Sequence, residues 1–300
     1  MRPTCHASPA ANLGKITGLA SLLLLGFAGA SAAQVNAVWQ GTDNSYDNPS
    51  NWDLGGLPAA VPINDGTTDY DVFIGASSSV FFDVLGPSNE VQSLSLGTDS
   101  SFEVPSGLAL NVVGELDANG VIRATGGTLT NTSPLSHFAL NGGAARLFAT
   151  NNGTVTLDGP AVYQYNRTGT EEILAARSGA TLSLPTLTSI TLNISSGWVK
   201  NIVANAGTVN LQNVTTIGAG AGANDGYLDL YYQAGGQINL ASLQHINPQA
   251  GNNQDAVRFF FQDSDTYNVP ASTAVNTDFR LSAGATLDLP NLTEFSGVGF

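Results

Sequence analysis

The sequence predicts an all-β protein: a parallel β-helix solenoid with an N-terminal β cap segment, placed after a signal peptide. Three observations predict it, namely an export leader at 1–33, a composition poor in helix formers, and an alternating pattern that recurs about every 27 residues. Only 11% of the 300 residues are charged, whereas glycine alone supplies 34. So little Lys, Glu and Arg leaves few residues to clothe the outside of helices, and the Val, Ile, Leu and Phe that remain suit half-buried strands. Gly, Asn and Asp at short intervals supply turns.

The leader comes first. Arg2 and Lys15 mark a basic region, an apolar run follows through Ile16, Leu19, Leu22, Leu25 and Phe27, and Ala28-Gly-Ala-Ser-Ala-Ala33 offers small-residue cleavage after Ala32 or Ala33. The run is short for a bilayer span and has no basic stop-transfer flank, so the mature part is expected to carry no transmembrane span. The only cysteine, Cys5, lies in the leader; the exported chain is then cysteine-free and must be stabilised by packing. All 23 acidic residues follow Ala33, while two of the nine basic ones precede it, so the mature chain carries 7 basic and 23 acidic groups, a net −16. That charge repels phosphate backbones and anionic bilayers. Nucleic acid is excluded as an expected partner, and neutral glycans and divalent cations remain.

The repeat carries the fold. Thr181-Leu-Ser-Leu-Pro-Thr-Leu-Thr-Ser-Ile190 matches Thr286-Leu-Asp-Leu-Pro-Asn-Leu-Thr-Glu-Phe295, with Thr208–Ile217 and Gln237–Ile246 between them. Weaker copies start at Thr266, Thr154, Thr128 and Ser101, giving successive gaps of 27, 26, 27, 27, 29, 29 and 20 residues. One residue after each start stands an apolar side chain (Phe102, Leu129, Val155, Leu182, Val209, Ile238, Tyr267, Leu287), and three after stands another, broken only by Asn131. The position between is polar, as in Ser183, Asn210 and Asn239. This is the period-two pattern of strands with one face buried, held in register from copy to copy. A β-sandwich does not require the same residue types every 27 residues. Leucine-rich repeats would want an Asn at a fixed place in the turn and a helical return, and neither recurs.

A second strand precedes most copies: Leu228-Asp-Leu-Tyr-Tyr-Gln233 aligns without a gap with Val257-Arg-Phe-Phe-Phe-Gln262. Small-residue corners such as Ser178-Gly-Ala180, Ala206-Gly207 and Ala234-Gly-Gly236 join the two strands. Eight such coils stacked at about 4.8 Å would make a rod of roughly 35–40 Å around one continuous core.

Residues 34–97 do not follow the ladder and are expected to cap it, leaving 98–300 for the repeats. They run Trp39-Gln-Gly41, Asp47-Asn-Pro-Ser-Asn51-Trp52, Gly55-Gly56, Pro58, Asp71-Val-Phe-Ile74 and Val91–Gly97. This order resembles the opening segment of secreted parallel β-helix repeat proteins of Gram-negative bacteria, which are similar to autotransporter passenger domains and often carry a C-terminal sorting or anchoring module. The resemblance covers most of residues 37–300. It implies a right-handed, capped β-helix on the outer cell surface or outside the cell, and it implies no particular reaction. Trp39 and Trp52 are read as cap packing. Because the good copy at 286–295 is followed by Ser296-Gly-Val-Gly-Phe300 and no cap, further coils are expected beyond it, and self-association is expected through the uncapped end.

No catalytic constellation is legible. Elimination across uronic acids needs a Lys or Arg base beside carboxylates that hold calcium; the mature chain offers Lys200 and six arginines, and only Arg258 lies close in sequence to acids, Asp263 and Asp265. The acidic residues of the polar column are Glu103 and Asp288, far apart in the ladder, and the mature histidines, His137 and His245, are also remote from each other. Calcium is the one cofactor left open. Gly220–Asp225 occurs once where the nonapeptide it faintly resembles works in tandem; Asp263–Asn268 lacks the Gly and final Glu of an EF loop; Asp65, Asp69 and Asp71 cluster near the cap. Each is read as a turn or Asx cap. For ligand binding the candidates are Tyr231 and Phe260: if Tyr232 and Phe261 point inward, Tyr231 and Phe260 form a two-rung aromatic ladder outside, fit to stack on sugar rings or to be buried under the loop 247–256. The expected function is a non-enzymatic, secreted or surface-exposed structural or adhesive protein facing extracellular glycans or cell-surface matrix. A polysaccharide lyase or hydrolase, or a glycan-binding module, is the alternative.

Overall fold

Strands two to seven residues long follow one another from Ala33 to Phe295, joined by corners in which Gly, Asn, Ser or Ala takes a left-handed conformation. The computed structural model describes residues 32–41, 43–86, 89–134, 145–192, 198–219, 226–247 and 255–297. Among these the single helical element is a 3-10 turn, Pro49–Asn51.

Nearly all pairing is parallel and between strands distant in sequence. The longest sheet has nine strands and runs from Ser79–Phe81 through Ser101–Pro105, Val121–Thr125, Arg146–Thr150, Glu171–Arg177, Val199–Asn205, Tyr227–Gln233 and Ala256–Phe261 to Thr277–Leu281. A second sheet has seven strands, from Asn89–Val91 through Ala109–Val112, Thr128–Asn131, Thr154–Leu157, Thr181–Ser183 and Thr208–Asn210 to Gln237–Asn239. The third side changes along the chain. It is first a five-stranded sheet containing Ala33–Trp39, Thr68–Ile74, Ser93–Leu96 and Leu116–Ala118, and later a six-stranded sheet from Val162–Tyr165 to Glu294–Phe295. Among the described residues the chain visits these sides in rotation, most passes adding one strand to each. This all-β architecture of long parallel sheets is compatible with the solenoid that the repeat predicts. The strands Thr68–Ile74 and Ser93–Leu96, inside the segment 34–97, already belong to the parallel sheets; among the described strands Trp52–Asp53 alone pairs antiparallel, against Ala33–Trp39.

The predicted columns appear in the ladders. Thr181, Leu182 and Ser183 pair with Thr208, Val209 and Asn210, and these with Gln237, Ile238 and Asn239. Leu184, Leu211 and Leu240 are buried, while Asn210 Nδ2 donates to Ser183 Oγ at 3.2 Å and Asn239 Nδ2 to Asn210 Oδ1 at 2.9 Å on the outer face. Asn131, which breaks the apolar column, is fully buried and donates to the carbonyls of Val112 and Gly114 at 2.8 and 2.7 Å, so its amide is compensated. Trp39 and Trp52 meet edge to face at 5.0 Å and join the core with Tyr46 and Phe82.

Two expectations of the ladder need correction. The copy starting at Ser101 belongs to the nine-stranded sheet: Phe102 pairs with Ile122, and the true partner of Thr128 is Ala109. The early passes are shorter than 27 residues, and a fixed repeat length slides from one strand type to the other. Second, Thr266–Asn268 does not stack on Gln237–Asn239; it pairs only with Thr286–Asp288 as a separate two-stranded sheet. The flanking sheets stay paired there, so the second sheet is interrupted locally.

Candidate functional site

Alternation along the nine-stranded sheet sends every second side chain outward. In register, one outer column reads Glu103, Arg123, Phe148, Ala175, Val203, Tyr231, Phe260 and Arg280. Phe148, Ala175 and Val203 form a small apolar cluster of their own, with Val121 and Tyr231 packed against it. The next two rungs, before Arg280, are the predicted pair. Tyr231 and Phe260 are directly opposed, their rings stack at 4.5 Å with 13° between planes, and both are half-buried. Tyr232 and Phe261 point into the core, as the alternation requires. The loop segment 248–254, expected as a cover for this pair, lies outside the described residues.

Charged groups frame the pair. Asp229, buried on the same strand as Tyr231, accepts two bonds from Arg258, from Nε at 2.6 Å and Nη2 at 2.7 Å, and a third from the Tyr231 hydroxyl at 3.1 Å. A bidentate guanidinium–carboxylate pair is geometrically stiff and holds both strands in register. Burial, then the Asp229 charge and its hydrogen bond, push the Tyr231 phenol up to about 12. Burial works against the Arg258 charge, but the Asp229 bond and charge outweigh it and raise its pKa. The Arg258 guanidinium lies 4.0 Å from the Tyr227 ring centroid, and that of Arg280 lies 5.1 Å from Phe260. The two rings cover each other's faces and Arg280 lies over Phe260, so the pair turns its edges outward and offers a ligand an apolar ridge beside the guanidinium groups.

The grouping of Arg258 with Asp263 and Asp265 is not formed. Arg258 turns to Asp229 on the preceding strand, while Asp263 accepts from the Gly235 amide at 2.7 Å and from the Tyr267 hydroxyl. Adjacency in sequence placed Arg258 beside Asp263; the ladder places it beside a residue 29 positions away. No pattern within one strand could have found Asp229, but the gapless alignment of 228–233 with 257–262 puts the two in one column.

Lys200 is fully buried on the nine-stranded sheet. Its Nζ donates to Gly169 O at 2.5 Å and to Glu171 at 2.9 Å, and sits 4.9 Å from the Tyr165 ring centroid. Arg146 lies 3.4 Å from the other Glu171 oxygen. Desolvation lowers the Lys200 pKa, with Glu171 opposing it. A lysine with no accessible surface, tied to a carboxylate and a carbonyl, is a strut between strands in this conformation. His245 Nδ1 lies 3.0 Å from Thr273 Oγ1 on the neighbouring strand, and His137 and Gly220–Asp225 lie outside the described residues. Asp65 accepts from the Thr67 amide and hydroxyl and from the Thr68 amide, the role of a turn cap, and Asp71 accepts from Gln34 and Ser93.

No protein-family model matches the chain, and no curated protein and no solved structure matches it either.

Proposed function

We propose that the chain is a secreted, surface-exposed, non-enzymatic parallel β-helix with a structural or adhesive role, exported by the leader at 1–33 and similar to the passenger-like repeat proteins of Gram-negative bacteria. The observation that carries this reading is the set of long parallel ladders around one continuous core, with polar residues bonded rung to rung outside. Such a stack transmits load along its axis and presents repeated polar columns to its surroundings. Display of residues 34–300 on a non-adherent cell tests the adhesive role. Gain of attachment to a glycan-coated surface is the expected result. Release of reducing sugar or unsaturated uronate from a polysaccharide panel would replace this reading with an enzymatic one.

A glycan-binding module is the second reading, favoured by the outward, parallel stacking of Tyr231 on Phe260. A glycan array comparing the wild type with Tyr231→Ala/Phe260→Ala tests it. Equal signals from the two proteins would remove this pair from the account.

A further inference from the structure

The interruption of the second sheet, between Gln237–Asn239 and Thr266–Asn268, leaves a cleft of about 490 Å³, inside the usual range of small-ligand sites. We propose that this slot binds a neutral, hydroxyl-rich ligand, a sugar unit at the end of a glycan. The inference is independent of the Tyr231–Phe260 reading.

Two sequence changes coincide at the slot. The inner position just before the corner is Ala124, Ala149, Ala176 and Ala204 in four successively paired strands, and then becomes Tyr232 and Phe261. Tyr267 joins these rings, with all three centroid separations between 4.5 and 5.1 Å. Rings have replaced methyl groups, and the space they need is taken beside the corner. The corner itself changes too. Neighbouring corners use left-handed residues: Gly126, Asn151 and Asn152, Ser178 and Gly179, Ala206, Ala234 and Gly235, then Gly284. Gly127, Gly153, Gly207 and Gly236 end four of those corners, so near the preceding pass that a Cβ would meet its backbone closer than 3.0 Å. Asp263-Ser264-Asp265 contains no left-handed residue, and Asp265 stands where that glycine would. Ala180 and Ala285 hold that same place in corners that do close, so the missing left-handed residue, more than the Asp265 Cβ, sets this corner apart and keeps Thr266 off the previous pass. Gln237 N donates to Gly207 O at 2.9 Å and Thr286 N to Asp265 O at 3.0 Å, whereas Thr266 and Gly236 form no such rung.

The slot is closed at both ends. Gln262 N donates to Tyr232 O at 2.9 Å before it and Ser272 N to Gln244 O at 2.8 Å after it, so an extended peptide cannot run through. Its walls are backbone. By the ladder's alternation, Ile238 and Leu240 direct their amides toward the next pass, as Leu211 N does toward Asn239 O, while Thr266 and Asn268 direct theirs back. The Ile238 carbonyl is reached only at 3.5 Å, by the Tyr232 hydroxyl. Gln237, Asn239 and Asn268 add side-chain amides, and Ile238, Leu240 and Tyr267 provide an apolar floor that is 3–5% exposed where Val209 and Leu211 are fully covered. No lining residue is charged. Donors and acceptors are thus mixed, which suits hydroxyl groups; an anion would lack a counter-charge, and a hard cation would lack a carboxylate.

Saturation-transfer NMR on residues 34–300 with maltose, cellobiose, lactose and chitobiose at millimolar concentration tests the proposal. Transfer to at least one disaccharide is expected. It should fall at least tenfold in Asp263→Ala/Ser264→Gly/Asp265→Gly, which copies the Ala234-Gly-Gly236 corner and should close the rung, and stay unchanged in Tyr231→Ala/Phe260→Ala. If the corner variant does not fold, Asn239→Ala/Asn268→Ala at the mouth should weaken transfer at least fivefold. No transfer to any of the four sugars, equal transfer after the slot is closed, or loss only in the aromatic variant would each overturn the proposal. Binding of an extended Thr-Val hexapeptide with no sugar binding would overturn it in favour of strand addition.

Discussion

Substituting Leu211 and Asn210, neighbours in sequence, should separate the two faces of the second sheet. Leu211 is fully buried between Leu184 and Leu240, so Leu211→Asp loses about 1.5–3 kcal/mol of apolar burial. It also places a carboxylate with no partner in the core, which costs several kcal/mol more or forces the group to stay protonated. A total loss of about 4–6 kcal/mol is expected. Asn210→Asp keeps the oxygen that accepts from Asn239 at 2.9 Å and loses only the donor to Ser183, whose hydroxyl can turn to donate instead. Its effect should stay within about 0.5 kcal/mol, as for other outward substitutions. Urea unfolding of residues 34–300 at pH 7, followed by tryptophan fluorescence and far-UV circular dichroism together, reads both values if the transitions coincide. Effects within 1 kcal/mol of each other would refute the assignment of faces.

Other outcomes follow from single contacts. In Gly207→Ala the new Cβ would lie 2.7–2.8 Å from the backbone of Ala176 and Arg177, so a loss of about 2 kcal/mol is expected, while Gly75→Ala, with nothing within 4 Å, should be neutral in the same urea assay. Burial raises the phenol pKa of Tyr46, Tyr163, Tyr165 and Tyr232. The unfolded chain therefore loses these protons first: stability they contribute is complete below about pH 10 and falls above it, by up to about 1.4 kcal/mol per pH unit for each, and Tyr46→Phe should flatten the alkaline limb by that amount. Asp229→Asn should destabilise by about 3 kcal/mol by leaving Arg258 without its counter-charge, and should lower the Tyr231 pKa from about 12 in an ultraviolet titration, since Asp229 is a secondary cause behind burial. Intact-mass measurement of exported protein should place the first residue at Ala33 or Gln34, where the first strand begins; retention of residues 1–30 would point to an anchored chain instead.

The all-β class, the parallel ladders and the outward pair Tyr231 and Phe260 were legible in the sequence, because alternation with period two needs only local order and the copies from Thr128 to Gln237 keep one spacing closely enough to be aligned. Asn131 was legible as an exception, though not the two carbonyls that compensate it. Misplacement of Ser101 has a definite cause: both strand types alternate alike, and only hydrogen bonding tells Ala109 from Ser101 as the partner of Thr128. The charge pair of Asp229 and Arg258 and the slot beside Thr266 belong to the tertiary structure. A sequence sets which side chains point in or out along each strand, since that follows from the pleat. Which strands meet, and where one fails to meet, depends on how large the rings are beneath a corner and how closely that corner's backbone can approach the pass before it, and those are distances between residues some 30 positions apart.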